Sequence, residues 1–409
     1  MHPLIPEDPH AAPTVNRLRR ARHRRSAHGL AAAISSSQAL TFLELNRVRP
    51  TTAINYNERG EAFRKWVEQA QMLLDDAKHL DNALCEYFEH LYFEGCNHVD
   101  GDKLIASLKY NLPLLTSDER TLLPRARAAL RGFRRLAPGR SRAPLPWVAL
   151  MGMVGAALFV QRPDIALGLM LQFLCYLRPG ELVGLKRGQI IAPQSASFTN
   201  HWAVLLAPEE EAVTSKTQEF DESVLIDWPE LWGLHRLLRR HVAPLSATDA
   251  LWTFDHKEYN MMFARVSELA EVNKLAPHPY SLRHGGASHD SLLRRRSIEA
   301  IQKRGRWRAA SSATRYDKHA RVLKEVSKLG ARARGYGEYV FKYLNPLLAG
   351  LCKVEAPPAV QRSQLSVSDA QRPSAKRKRS ASAGTPTAAP ATSPTRRSRR
   401  LSRLDPVTL

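Results

Sequence analysis

Pro138-Gly139-Arg140-Ser141-Arg142-Ala143-Pro144-Leu145-Pro146 divides this chain in two. Three prolines, a glycine and two arginines in this stretch cannot sustain a regular helix or a central strand, and the composition is that of an interdomain linker. A length of 409 residues exceeds what one hydrophobic core usually organises, and a hydrophobic content of 44% supports more than one core. Two globular units with polar tails are therefore expected, joined at 138–146.

Upstream of the linker, residues 31–137 read as a helical unit. Thr51-Thr52 opens a stretch in which Ile54, Phe63, Trp66, Val67 and Ala70 recur near a 3.6-residue period. A second helix runs from Asp81 through Leu84, Tyr87, Phe88 and Leu91 and stops at Gly95, and a third from Asp102 through Leu104, Ile105 and Leu108 breaks at Pro113. The fourth, Pro124 to Leu136, carries Arg125, Arg127, Arg131, Arg134 and Arg135, so charge lies nearly all round it. Such a helix is either solvated or laid along a phosphate backbone, and in a chain this basic the second is expected.

Downstream, residues 147–350 read as a mainly α unit with a small β insertion, an α+β arrangement. His201 to Leu206 and Ser223 to Ile226 are strands flanking a polar hairpin region. Residues 1–30 form a basic arm in which Arg17, Arg19, Arg20, Arg22, Arg24 and Arg25 are too dense to pack; it is a solvated tail, a DNA contact, or both. Residues 351–409 are rich in Ser, Pro, Ala and Arg and cannot bury enough surface to fold. Within them, Lys376-Arg377-Lys378-Arg379 and Arg396-Arg397-Ser398-Arg399-Arg400 are basic clusters, suited to nuclear import or to non-specific DNA contact.

A formal net charge of +22 and a pI near 10.2 call for a polyanionic partner. The apolar runs Trp147 to Val160 and Ile165 to Leu177, split by Gln161-Arg162-Pro163-Asp164, are each too short to span a bilayer, and the N-terminus has no signal-peptide core. A soluble intracellular protein facing nucleic acid, not membrane, is the expectation. Cys85, Cys96, Cys175 and Cys352 are scattered, form no CxxC pair, and are expected as reduced thiols, mostly in cores. His278, His284 and His289 have no acidic or cysteine partner at ligand spacing, so no metal site is expected.

Three short boxes carry the chemistry. In Leu177-Arg178-Pro179-Gly180-Glu181-Leu182, proline pushes Arg178 out of helical geometry and suits the first helical position, so Arg178 is expected at the mouth of a helix with Glu181 one turn inside. A guanidinium beside outward-pointing backbone N–H groups makes a phosphate site. In Pro279-Tyr280-Ser281-Leu282-Arg283-His284-Gly285-Gly286-Ala287, Ser281 is a candidate N-cap that would put Arg283 in a first turn. The paired glycines cost helix stability, which implies that something approaches the backbone closely. Gly305-Arg306-Trp307 is followed by a turn at 309–312, where Ser311 or Ser312 would cap a helix bearing Tyr316 within Ala313-Thr314-Arg315-Tyr316-Asp317.

Taken in order, Arg178-x-x-Glu181, Lys216 within Ser215-Lys216-Thr217, Arg283-His284, Trp307 and Arg315-Tyr316 resemble the catalytic domain of tyrosine recombinases. The resemblance spans roughly 145–325 and is nearest to integrase-like recombinases of eukaryotic mobile elements of the DIRS and Crypton kind; the unit before it is similar to the family's helical core-binding domain. Two positions depart from the family pattern. Tyr280 stands where histidine is usual, and Trp307 replaces the commoner histidine, although an indole N–H can also donate to a phosphate oxygen.

The resemblance implies DNA breaking and rejoining in site-specific recombination or DNA integration. Arg178 and Arg283 would hold the scissile phosphate, Tyr316 would attack to give a 3′-phosphotyrosine, Lys216 would protonate the leaving 5′-oxygen and His284 would accept the nucleophile's proton. With arginines neutralising the phosphate, neither metal nor cofactor is called for, and the phosphotyrosine keeps the bond energy without ATP. Double-stranded DNA is the implied partner, with four protomers assembled on it; the basic clusters Lys376 to Arg379 and Arg396 to Arg400 point to the nucleus as the location. Two other readings of the same residues are a type IB topoisomerase-like nicking enzyme and a catalytically inactive, mobile-element-derived DNA-binding protein.

Overall fold

A computed structural model of the chain describes residues 41–112, 115, 122–139, 142–194, 201–212, 214–215, 219–317 and 319–363. The basic arm, Pro113, Lys216 and residues 364–409 with the two basic clusters lie outside the described residues, whereas 351–363, expected not to fold, pack on the second unit through Val354 and end in a helical turn at 358–363. The architecture is mainly α with one small sheet, divided into two compact units, residues 1–142 and 143–409.

In the first unit, α1 (Phe42–Leu45) is followed by α2 (Pro50–Gln69), α3 (Ala77–Phe93), α4 (His98–Asn111) and α5 (Pro124–Leu136). Their cohesion comes from stripes at helical spacing: Phe63 and Val67 on α2, Leu80, Leu84, Tyr87 and Phe88 on α3, Leu104 and Ile105 on α4. Ile54, expected on the buried stripe, is exposed. The second helix starts one turn earlier than expected, at Ala77, because Asp76 caps it by accepting the His79 N–H at 2.7 Å. Asp81 is therefore no helix start. It lies buried in mid-helix and accepts the backbone N–H groups of Arg125 (3.1 Å) and Ala126 (2.8 Å). α5, whose own N-cap Leu123 offers no side-chain acceptor, is capped by α3 instead.

α5 is also less charged around its circumference than the sequence suggests. Ala126, Leu130 and Phe133 form an i, i+4, i+7 stripe that is buried in the unit's core. The arginines occupy the remainder: Arg125 donates to Asn82 and Arg134 pairs with Asp102, Arg131 and Arg135 are exposed, and Arg127 is half-buried.

In the second unit the two apolar runs become α6 (Trp147–Phe159) and α7 (Pro163–Leu174), buried on nearly every side at the centre of the larger core. Among the described residues no helix is long and apolar enough to cross a membrane. After α8 (Pro179–Val183) come β1 (Ile190–Ile191), β2 (Trp202–Leu206) and β3 (Glu222–Ile226), an antiparallel sheet ordered β1-β2-β3. Trp202 pairs with Ile226 and Val204 with Val224, so the buried residues alternate along both strands. The expected hairpin is present; β1 was not expected, being two residues long and without a period to read. The helices α9 (Trp232–Val242), α10 (His256–Leu269), α11 (Pro279–Leu292), α12 (Ile298–Arg304), α13 (Ala310–Ala313), α14 (His319–Ser327), α15 (Ala331–Lys342) and α16 (Leu344–Ala349) complete the unit. Of the cysteines only Cys175 is fully buried; Cys85 and Cys96 are half-buried and Cys352 is exposed, which corrects the expectation of core thiols.

The paired glycines of α11 do what their cost implied: they let backbone in. A Cβ on Gly285 would lie 2.3 Å from the Leu145 carbonyl oxygen, and one on Gly286 only 1.9 Å from that of Phe173. Leu145 is itself buried, and its N–H donates to the Ser281 carbonyl at 3.0 Å. Gly286→Ala is expected to destabilise the unit by more than about 2 kcal/mol, since the obstacle is backbone and cannot rotate away. Urea unfolding measures this; a loss under about 0.5 kcal/mol, the surface-substitution scale, would mean that α11 is free to shift.

Candidate active site

The three boxes converge, although two of their local structures differ from expectation. Arg178 is the N-cap of α8 with Pro179 at the first helical position, as the sequence required. Its N–H donates to Glu181 at 2.7 Å and its guanidinium to the same carboxylate. Glu181 takes a second guanidinium, that of Arg306. Burial raises the carboxyl's pKa, but Arg306 and then Arg178 outweigh it and hold Glu181 below the ordinary carboxylate range.

Arg283 sits in the second turn of α11, because the helix begins at Pro279, three residues earlier than a Ser281 cap allows. The cap is His278, whose Nδ1 accepts the Tyr280 N–H at 3.2 Å, and Ser281 completes a reciprocal capping box. The guanidinium of Arg283 is thus not at a helix mouth. It is buried, donates to the Tyr176 and Gly305 carbonyls, and lies 4.8 Å over the Trp307 ring. Burial lowers its pKa to about 10, with Arg306 and Arg178 pushing the same way against Glu181 and Tyr316.

Tyr316 closes a 3-10 turn, Thr314–Tyr316, directly after α13. Neither Ser311 nor Ser312 caps a helix: both lie inside α13, whose N-cap is Ala309 without a side-chain bond. Trp307 stacks on the Tyr316 ring at 4.5 Å and 29°, and His284 meets that ring from another side at 5.2 Å and 53°. Tyr316 is only 7% exposed. Burial raises its phenol pKa, while Arg283 and Arg315 pull it back. One residue on, Asp317 accepts from Ser291 of α11 at 2.9 Å, tying the tyrosine's turn to the helix that bears Arg283.

Arg178, Glu181, Arg283, His284, Trp307 and Tyr316 are therefore brought together. Tyr280 is half-buried in the first turn of α11, its ring 6.2 Å from that of His278. The three histidines serve different neighbours: His278 caps α11, His284 faces Tyr316, and His289 lies nearly parallel to Trp147 at 5.0 Å and to Trp228 at 6.2 Å. No group of three residues able to hold a metal occurs among the described residues. The arginines of α5 belong to the first unit.

Two members of the cluster were missed by sequence reasoning. Arg306 has a φ of +53° and a nearly buried side chain, bonded to Glu181 and 3.3 Å from Glu222 of β3. Tyr176 has a φ of +50° and is fully buried. Each is the residue after a helix C-cap, Cys175 for α7 and Gly305 for α12, and the next N–H reaches back, Leu177 to Gln172 and Trp307 to Gln302, both at 3.1 Å. That motif usually takes glycine, and a non-glycine side chain there costs on the order of 1 kcal/mol or more. The one available signal was Gly305, a helix-ending glycine just before Arg306-Trp307.

Three guanidiniums, Arg178, Arg283 and Arg306, thus share two carboxylates, Glu181 and Glu222, beside one tyrosine. Burial lowers the pKa of both Arg283 and Arg306, and neighbouring guanidiniums add to it, Arg306 and Arg178 on Arg283 and Arg178 on Arg306, so positive charge is crowded at this site. A tetrahedral oxyanion fits that excess, and the adjacent phenol is a nucleophile or a donor to it.

No family model matches the chain, and no curated protein sequence matches it. Among solved structures it is similar to a lambda integrase dimer bound to a COC′ core site, 15% identical over 74% of this chain and 81% of the other, with a TM-score of 0.44. It is similar also to XerA recombinase, 16% identical over 66% and 97% of the two chains, TM-score 0.34. A third is the XerH site-specific recombinase in a pre-cleavage complex with its difH substrate, 14% identical over 74% and 94%, TM-score 0.34.

Proposed function

We propose that this chain breaks and rejoins DNA strands as a tyrosine recombinase, with Tyr316 as the nucleophile. The observation that carries the reading is the buried tyrosine packed by Trp307 and His284 within the field of three arginines. Arg178, Arg283 and Arg306 neutralise the non-bridging oxygens, where the transition state concentrates charge. The Tyr316 oxygen attacks phosphorus, its proton passes to His284, and the bond from phosphorus to the 5′-oxygen breaks. Lys216 supplies the proton that this oxygen takes. A 3′-phosphotyrosine and a free 5′-hydroxyl result, and attack by another strand's 5′-hydroxyl reverses the chemistry. Glu181 keeps Arg178 and Arg306 oriented, and the Trp307 indole N–H adds a donor.

Lys216→Ala is expected to abolish cleavage of ordinary DNA yet cleave a 5′-bridging phosphorothiolate, whose sulfur leaves without a proton. Equal inactivity on both substrates would remove Lys216 from the acid role.

The basic surface is read as a contact for double-stranded DNA, with α5 along the phosphates. Arg131 and Arg135 are exposed on it, and each phosphate contact contributes about 0.9 to the salt slope of log K. Replacing both with alanine should lower that slope by about two, with cleavage at saturating DNA retained. An unchanged slope would detach α5 from the duplex. Strand exchange between two duplexes implies four protomers on DNA, and the tail clusters Lys376 to Arg379 and Arg396 to Arg400 suit nuclear entry. The function is tested by selecting bound sequences from random duplexes and assaying recombination between copies of the winners. Recombinant products are expected; binding without any strand joining would favour an inactive DNA-binding scaffold, and relaxation of supercoils without site preference a topoisomerase-like enzyme.

A further inference from the structure

Tyr176 touches both Arg283 and Trp307 and belongs to none of the boxes. Its carbonyl accepts from Arg283. Its ring lies 6.3 Å from Trp307 at 25°, and Trp307 lies 4.5 Å from Tyr316 at 29°, so the three rings form one column ending on the reactive phenol. Its hydroxyl donates to Asp290, a buried carboxylate also held by Arg296, which in turn binds Asp227. Arg304 sits 5.5 Å over the ring from another side. The ring is seated on Gly286, where a Cβ would come within 2.8 Å of it, and Gly286 is on the helix that carries Arg283.

The backbone makes these contacts interdependent. With φ at +50°, Tyr176 follows the C-cap of α7 and turns the chain so that Arg178 comes two residues later as the N-cap of α8. Trp307, at the exit of α12, fixes the ring, while α11 fixes both the carbonyl, through Arg283, and the hydroxyl, through Asp290. Any displacement of Tyr176 moves Arg178, Arg283 and the support under Tyr316 together.

We propose that Tyr176 is a positioning residue that sets the register between the two phosphate-binding arginines and the Trp307–Tyr316 stack. This rests on the site being the phosphodiester-exchange site proposed above. Tyr176 touches no reacting atom, so it acts on the rate of the chemical step and not on the affinity for DNA.

Tyr176→Leu removes the ring and hydroxyl, whereas Tyr176→Phe combined with Asp290→Asn keeps the ring and removes the hydroxyl together with the charge it satisfied. The readouts are the dissociation constant for a nicked suicide duplex of the selected sequence and the single-turnover rate of covalent complex formation at saturating duplex. Tyr176→Leu should lose about a hundredfold in rate, the scale of a roughly ångström-sized misplacement. Its affinity should stay within about twofold, because the phosphate contacts that dominate binding are intact. The Phe/Asn pair should recover the rate to within about fivefold of the unaltered chain, since alignment and not proton chemistry is at stake. Should Tyr176→Leu not fold, Tyr176→Met, which is more adaptable in a core, is read in the same way. Cleavage by the Leu or Met variant at the unaltered rate, or loss of affinity in step with rate, overturns the proposal. Absence of covalent complex from the unaltered chain overturns the site reading itself and Tyr176's role with it.

Discussion

Tyr316→Phe eliminates covalent complex formation while duplex affinity stays within about twofold, because binding is set by phosphate contacts that this change leaves alone. The substitution removes one oxygen and keeps the ring that packs on Trp307 and His284, so the turn Thr314–Tyr316 keeps its place. Deleting a covalent nucleophile costs roughly a millionfold where the groups around it act as a unit, which puts residual cleavage below detection. A nicked duplex, the unaltered chain and the variant in parallel suffice. Cleavage surviving in Tyr316→Phe would move the nucleophile elsewhere.

Arg283→Ala, like Arg178→Ala, lowers the single-turnover rate by two or more orders of magnitude, the scale for losing a donor to a developing anion. Two effects oppose each other in the folded protein without DNA. Loss of the guanidinium leaves the Tyr176 and Gly305 carbonyls without that donor, at about 1–3 kcal/mol for each orphaned group. It also relieves the burial and the repulsion from Arg306 and Arg178 that depress the Arg283 pKa. The melting temperature is therefore expected to move much less than the rate. A rate within about threefold of the unaltered chain, far below the donor-loss scale, would make Arg283 a structural residue. A collapse of stability matching the loss of rate would do the same.

What the sequence made legible was whatever follows from period or from a single residue's constraint. The bounds of α5 at Pro124 and Leu136, the stop at Gly95, the proline-set N-cap at Arg178 and the strands facing each other across the hairpin all follow from such local rules. The glycine pair at 285–286 announced a close approach, although not that the approaching backbone is Leu145 and Phe173. What was lost depends on partners distant in sequence. Asp81 caps a helix that starts more than forty residues later, and His278 displaces Ser281 as a cap only because its ring folds back onto Tyr280. Tyr176 and Arg306 occupy left-handed helix ends that glycine usually marks, so composition concealed both turns. Arg306 was also masked by its neighbour: Trp307 fitted a familiar box, and the arginine beside it carried no label although it joins Glu181 to Glu222.

The most direct test of the whole account is to trap the chain on a nicked suicide duplex of the selected sequence, digest the complex, and locate the nucleotide by mass spectrometry. A single peptide carrying a 3′-linked nucleotide on Tyr316 is expected. A nucleotide on any other residue, or DNA that is bound and released without ever becoming covalently attached, would contradict it.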